Sequence, residues 1–310
     1  MLKKFGVLCA LALSLNACVP EATDEVEFGE SSPMAAIQAE GTLIVAVPVD
    51  AAPFSYLDTS GEPQGMLVEL GTHFADALEV DPEFVFVASE HMARMIAGDD
   101  PDRKIIGDED AHVAFPLFPV DEALYKQRSR EMGFDVTTPY FRGHQRLLVP
   151  QGSSIESSEA LANKKVCALI DPLTGIPVEK LQPDTDISTA KTHVECSTAL
   201  LEGTTDAVVA SETDLLIMLA QIEAEESASS FRIAGEQATT QGYSPLVVNG
   251  MSAYASNIFN DMREDGRWVE AYNKWIAPLT GEEVSEPHGI TLEEAAALYP
   301  IVVGDDETGS

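Results

Sequence analysis

Short β-branched apolar runs alternate with segments of helical period along most of this chain, and that alternation restricts the fold more than any other feature. The stretch 41–49, GTLIVAVPV, is apolar at nearly every position, as in a strand covered on both faces. In 65–78, Leu67, Leu70, Phe74, Ala77 and Leu78 recur at helical spacing. The pattern then predicts a strand at 84–87, a helix at 93–97 and a strand at 111–115. Strand–helix–strand order of this kind points to an α/β fold with parallel pairing. A further strand at 146–149 runs into Pro150-Gln151-Gly152-Ser153-Ser154, a small polar break that reads as the main internal boundary.

A second α/β cycle begins there. The pattern predicts a short helix at 157–161, a strand at 165–170 and a helix at 197–202 ending on Gly203. A strand at 206–210, a helix at 212–225 and a strand at 231–234 complete the cycle. Beyond Gln241-Gly242-Tyr243 come a strand at 245–248 and one long amphipathic helix carrying Ile258, Met262, Val269, Tyr272 and Trp275. A length of 310 residues suits two ordinary domains or one large one.

The first residues read as an address. Lys3 and Lys4 precede an apolar run from Phe5 to Leu15, too short to span a bilayer but suited to a signal peptide. The run ends in Leu15-Asn16-Ala17-Cys18, which resembles a bacterial lipobox, with 1–17 as the lipoprotein signal peptide and Cys18 as the lipidated thiol. An ordinary cleaved signal peptide is the alternative. The acidic, small-residue stretch 18–39 reads as a flexible tether, and 278–310 as an acidic tail with one short helix. Against 18 basic residues stand 52 acidic ones, a formal net charge of −34, which excludes nucleic acid as a partner and anionic lipid headgroups as an electrostatic docking surface. Membrane attachment is therefore expected only through the lipid anchor.

Cys9 leaves with the signal peptide, so an exported chain retains the pair Cys167 and Cys196. A disulfide is the favoured reading in an oxidising compartment. Two buried thiols or a metal pair are the alternatives, the metal being disfavoured because only His193 lies nearby and no CxxC spacing occurs.

The order of segments resembles the bacterial extracellular solute-binding proteins of family 3, polar-amino-acid receptors of ABC importers. The matching pieces are GTLIVAVPVDAAPFSYLDTSGEPQGMLVEL, RSREMGFDVTTPYFRGHQRLLV, SSEALANKKVC, ECSTALLEGTTDAVVASETDLL and NDMREDGRWVEAYNKW. The position of the cysteine pair further resembles the glutamate-receptor branch of Gram-positive bacteria. The resemblance implies a two-lobed periplasmic-binding-protein fold, a Venus flytrap with two hinge crossings. Lobe 1 would be 40–149 plus 242–277 and lobe 2 would be 150–241. Ligand would lie in the cleft between them, with an ABC permease as the membrane partner.

The same resemblance proposes site residues. Arg128, or Arg130 beside it, matches the arginine that forks onto a ligand carboxylate, although FPLFPVDEALYKQR before it lacks the family's hydroxyls except for Tyr125. Ser211 occupies the ammonium-binding acidic position, with Glu212 and Asp214 as neighbouring acceptors and Asp206 as a structural residue. Thr174 matches a donor in the turn after the Cys167 strand. Phe54 matches the aromatic wall of lobe 1, with Tyr56 a second possibility and core packing the plain alternative for Phe54.

No GxSxG, HExxH or P-loop pattern occurs, so no catalytic residue, cofactor or metal is expected. The expected function is an extracytoplasmic, lipid-anchored receptor that captures a small polar ligand, an amino acid or a relative, by lobe closure. A sensor or scaffold lipoprotein on the same fold, or a dehydratase-type enzyme, are the competing readings.

Overall fold

The computed structural model of the chain describes residues 28–97, 111–120, 133–169, 184–225, 230–235 and 240–287. Cys18, Arg128, Arg130, Thr174 and the tail from 288 lie outside the described residues.

Helix α1, Pro33–Glu40, starts where Ser32 Oγ accepts the Ala35 amide at 3.1 Å and stops at Gly41 in a left-handed conformation. The C-terminal end of the expected tether is therefore folded. Ile37 is buried and the Phe28 ring meets Tyr254 edge-on at 5.0 Å, so this end finds an apolar surface to cover.

Strand β1, Thr42–Pro48, is followed by a small hairpin of β2, Tyr56–Leu57, and β3, Pro63–Gln64. Then come α2, Met66–Ala77, β4, Asp81–Val87, α3, Ser89–Ala97, β5, Val113–Ala114, and β6, Phe134–Val136. The chain crosses along β7, Phe141–Pro150, and a 3-10 turn at Ser158–Leu161 replaces the short helix expected there. After it lie β8, Lys165–Leu169, β9, Asp186–Ala190, α4, His193–Leu201, β10, Ala207–Ser211, α5, Glu212–Glu225, and β11, Phe231–Ala234. The return strand is β12, Thr240–Tyr243, leading to β13, Leu246–Val248. Helices α6, Ser252–Glu264, α7, Arg267–Trp275, and α8, Ala277–Thr280, end the described chain. The single long helix expected here is broken at Gly266, whose φ of 91° no side chain adopts easily.

Two mixed sheets result. The first has the order β4-β1-β5-β13-β6, with β1 parallel to β4 and β5 and with β13 antiparallel to its neighbours. The second has the order β11-β7-β10-β8-β9, parallel from β10 through β8 to β9, and β12 also pairs with β7. The strand expected at 146–149 to close the first unit is thus the C-terminal part of β7 and is hydrogen-bonded inside the second sheet, to β10 and β11. Its burial on both faces explains why: Leu147 and Val149 turn into one apolar layer and Leu148 into the other, both belonging to the second sheet.

Cys167 on β8 and Cys196 on α4 form a disulfide with Cα atoms 5.6 Å apart. The parallel sheet brings them together, because β8 runs beneath the helix that leads to β10.

Candidate functional site

The two sheets meet where the first half of β7 lies antiparallel to β12, with Phe141 opposite Tyr243 and His144 opposite Thr240. These are the two crossing strands, and the side chains on them form the floor between the sheets.

Phe54 reaches this floor from the first sheet. The turn after β1 contains a cis Ala52–Pro53 bond. Its carbonyls receive the first amides of α2: Met66 N donates to Pro53 O at 3.1 Å and Leu67 N to Phe54 O at 2.8 Å. These bonds supply partners that a helix start otherwise lacks. They require Gly65, where a Cβ would stand 2.3 Å from Phe54 O. So held, the Phe54 ring sets its edge against Phe141 at 5.9 Å, and Phe141 meets Tyr243 at 5.7 Å. Phe54 and Tyr243 have no accessible surface in this state. Tyr56 points elsewhere, edge-on to Trp275 at 6.2 Å.

The second sheet contributes the start of α5. Ser211, at the end of β10, caps that helix: its Oγ accepts Asp214 N at 3.2 Å and donates to Asp214 Oδ2 at 2.6 Å. Thr213 Oγ1 lies 3.0 Å from Ser211 Oγ and donates to the Tyr243 hydroxyl at 3.2 Å. A polar chain therefore continues the aromatic one, from Tyr243 through Thr213 to Ser211 and Asp214. Burial, together with the negative charges of Asp214 and Glu212, pushes the Tyr243 hydroxyl far above its usual range, opposed by the Thr213 bond, and keeps it protonated.

Glu212 is engaged by β7. Its Oε1 accepts from Arg146 Nη1 at 3.1 Å and its Oε2 from His144 N at 3.3 Å. Its side chain is 13% accessible, so this pair is shielded from water far more than a surface ion pair. Tyr272 of α7 senses the same group: burial first, then the Glu212 charge, pushes its hydroxyl up to about 12 against the opposing Arg146 charge. Asp214 uses its other oxygen on His193 Nε2 at 2.9 Å. Ser211 and His193 thus bond opposite oxygens of one carboxylate, an order that differs from the serine–histidine–aspartate order of a nucleophilic triad.

Phe54, Ser211 and Glu212 are thus brought to one floor, two of them already engaged in internal bonds. Asp206 is backbone-bound, accepting from Lys165 N at 2.8 Å, in line with a structural role. Sequence reading missed Phe141, Tyr243, Arg146 and His193. Ser211-Glu212-Thr213-Asp214 carries a helix-start signature, a hydroxyl residue followed three later by an acid, that marks this cap. Among the described residues, no group of three or more His, Cys, Asp or Glu could hold a metal ion, and no helix is long and apolar enough to cross a membrane.

Comparison with known proteins follows the same lines. Residues 43–103 match the sequence model of the bacterial extracellular solute-binding proteins, family 3. The glutamine-binding protein GlnH of an ABC transporter from Bacillus subtilis (strain 168) is 26% identical over 284 residues, covering 89% of this chain and 95% of its own. The cysteine-binding protein from Campylobacter jejuni superposes with a TM-score of 0.57 at 19% identity, over 82% of this chain and 96% of that one. An ancestral amino acid-binding protein described as a precursor of cyclohexadienyl dehydratase gives 0.55 at 21% identity, over 79% and 99%. The chain is a distant homologue of the family 3 solute-binding proteins, matching their sequence model at the start of its first sheet and amino-acid-binding protein structures in its fold.

Proposed function

We propose that this chain is an extracytoplasmic receptor that captures a small polar solute, an amino acid or a close relative, and presents it to an ABC permease. The observation that carries this reading is the near full-length match to an ABC transporter's glutamine-binding protein on a chain whose two sheets are joined by two crossing strands. In this proposal one lobe is built on each sheet and the hinge is the pairing of 141–144 with 240–243. Closure is favoured by the difference in ligand affinity between the open and closed forms. Lipid on Cys18 would hold the receptor at the membrane. No covalent step is required, and a dehydratase activity would have to be shown by turnover of prephenate-like acids.

Phe54, Arg128, Thr174, Ser211 and Glu212 are the proposed ligand contacts. Glu212 has two bonds, and a carboxylate offers about four acceptor positions, so its remaining lone pairs suit a ligand ammonium. Arg128 would fork onto the ligand carboxylate.

A thermal-shift screen of the mature chain against amino acids, polyamines and small organic acids tests the reading. A ligand at 100 times its Kd is expected to add about 2.7 kcal/mol of stability. Arg128→Ala is then expected to weaken binding by about 2–5 kcal/mol, measured by calorimetry. The receptor reading fails if no member of these classes shifts unfolding. Undiminished binding by the Arg128→Ala protein removes Arg128 from the site.

A further inference from the structure

In a chain so rich in carboxylates, Arg263 is partnered by none among the described residues. Its Nη1 donates to Asn260 Oδ1 at 3.0 Å and its Nη2 donates to Pro139 O, both neutral acceptors, and its Nε is buried without a partner. Two more polar atoms beside it are in the same condition. Asn260 is 9% exposed, and its Nδ2 has no partner because its Oδ1 is the atom turned to Arg263. Thr138, next to Pro139 in the chain, has a buried hydroxyl without a partner, while its own amide donates to Ser256 Oγ at 3.2 Å.

Ser256, Asn260 and Arg263 lie on one face of α6, at positions four and seven residues apart, and the segment entering β7 packs across them. Burial, and then the neighbouring charge of Arg142, lower the affinity of Arg263 for its proton, to a pKa of about 10. Arg263 is a half-buried cation whose inner edge is cut off from water, and a shielded charge whose bonded partners are all neutral is costly. A guanidinium N–H and an amide N–H can only donate, and a hydroxyl can donate too. Donors gathered around a positive charge ask for an acceptor of negative charge. A water molecule accepts few bonds and leaves the charge uncompensated, whereas a small anion meets both needs.

We propose that this junction of α6 with Thr138–Pro139 binds a halide-sized inorganic anion, held by Arg263 Nε, Asn260 Nδ2 and Thr138 Oγ1. Arg263 bonds both Asn260 and Pro139, the neighbour of Thr138 in the chain, so the three donors belong to one small junction. The bound anion ties the entrance of the first crossing strand to α6.

The test compares thermal unfolding of the mature chain in sodium chloride and in sodium gluconate at equal ionic strength. Chloride at ten times its Kd is expected to raise Tm by about 3–6 °C over gluconate, saturably. Asn260→Asp, which sets a fixed carboxylate beside Arg263, is expected to abolish that increment. An equal chloride increment in the Asn260→Asp protein, or none in the parent, overturns the proposal. Crystals of the unaltered protein grown in bromide provide a measurement that needs no variant. An anomalous peak within hydrogen-bond distance of Asn260 and Arg263 is expected there. A water molecule at that position overturns the proposal, and so does a peak without any Tm increment, which would mark an adventitious ion only.

Discussion

The two sheets are held by different means. Around the first, the larger of two buried clusters is rich in rings: Phe74, Phe115, Tyr140, Phe259 and Trp268 pack together with Phe54 and the crossing-strand residues Phe141 and Tyr243. Around the second, the described clusters are aliphatic, with Leu148, Leu200, Leu215, Met218, Leu219 and Ile222, and Phe231 is their aromatic member. The disulfide lies in that aliphatic half. Large rings bury much area each, but their polar ends need partners. Those partners are present: Trp268 Nε1 donates to Tyr140 O at 2.7 Å, and the Tyr140 hydroxyl donates to Pro116 O at 2.8 Å. The aliphatic half gains a covalent tie. The same fold plan is thus stabilised by packing in one half and partly by a constraint on the unfolded chain in the other.

The largest expected effect falls on the aromatic half. Trp268 is 1% exposed and stacks on Tyr272 at 5.3 Å. Trp268→Ala is expected to cost about 3–5 kcal/mol in denaturant unfolding, through the cavity and the orphaned Tyr140 carbonyl. Trp268→Phe keeps most of the ring and loses the donor, so about 1–3 kcal/mol is expected. If the phenylalanine variant is as destabilised as the alanine one, the bond rather than the packing holds this half, and the contrast needs redrawing.

Next in size is the disulfide. It closes a separation of 29 residues, so replacing both Cys167 and Cys196 by alanine is expected to cost about 3–4 kcal/mol at most in the chain-entropy estimate. Both sulfurs belong to the second half. Where the halves unfold in separate steps, the loss is expected in one step only, with Trp268 fluorescence reporting the unaffected one. A loss shared equally by both steps would show that the halves unfold as one unit.

The contrast also explains what was legible in the sequence. Runs such as GTLIVAVPV and DAVVA declare buried strands by themselves, and the cysteine pair could be read by elimination, because both signals are local or compositional. The pairing of the crossing strands was less visible. Gln241-Gly242-Tyr243 looks like a break, yet it pairs with β7, and Gly143 lets the Tyr243 ring lie against that strand, since a Cβ there would stand 2.9 Å from Tyr243 Cε2. The bond from Arg146 to Glu212 joins residues 66 apart in the chain, and no periodicity connects them. Helix α5 was read from its pattern, but its burial on several sides, with Leu216 and Ile217 in the aromatic cluster and Leu215, Met218 and Leu219 in the aliphatic one, depends on the way the two sheets meet. Local order was therefore readable and the floor between the sheets was not, because the floor is made of long-range contacts. The place of Phe54 beside the crossing strands could be read only through resemblance, whereas its burial is what the plain alternative of core packing expects.

The smallest expected effect is a dependence on pH confined to the first sheet. Ile44 N donates to His112 Nδ1 at 3.1 Å, so that nitrogen must be unprotonated and the ring proton must lie on Nε2, 3.6 Å from Glu40 Oε2. Burial lowers the affinity of His112 for a second proton, and the Glu40 charge only partly offsets this. The folded pKa thus lies below the usual histidine value of about 6.5, to which the ring returns on unfolding. Between those two values the unfolded chain binds more protons than the folded one. The contribution of His112 is therefore complete above about pH 6.5 and is lost as pH falls below it, by less than about 1.4 kcal/mol per pH unit. Glu69 belongs to a lower window. Burial alone would raise its pKa, but the bonds from Lys274 and Trp275, with the Lys274 charge, outweigh that and lower it, so its contribution is lost only under more acid conditions. Denaturant unfolding of the His112→Gln protein at a series of pH values between 5 and 7 separates the two, because glutamine does not titrate. The variant is expected to be less stable at pH 7 and flatter in its pH dependence than the parent. An unchanged slope would show that the titrating group in this range lies outside the first sheet.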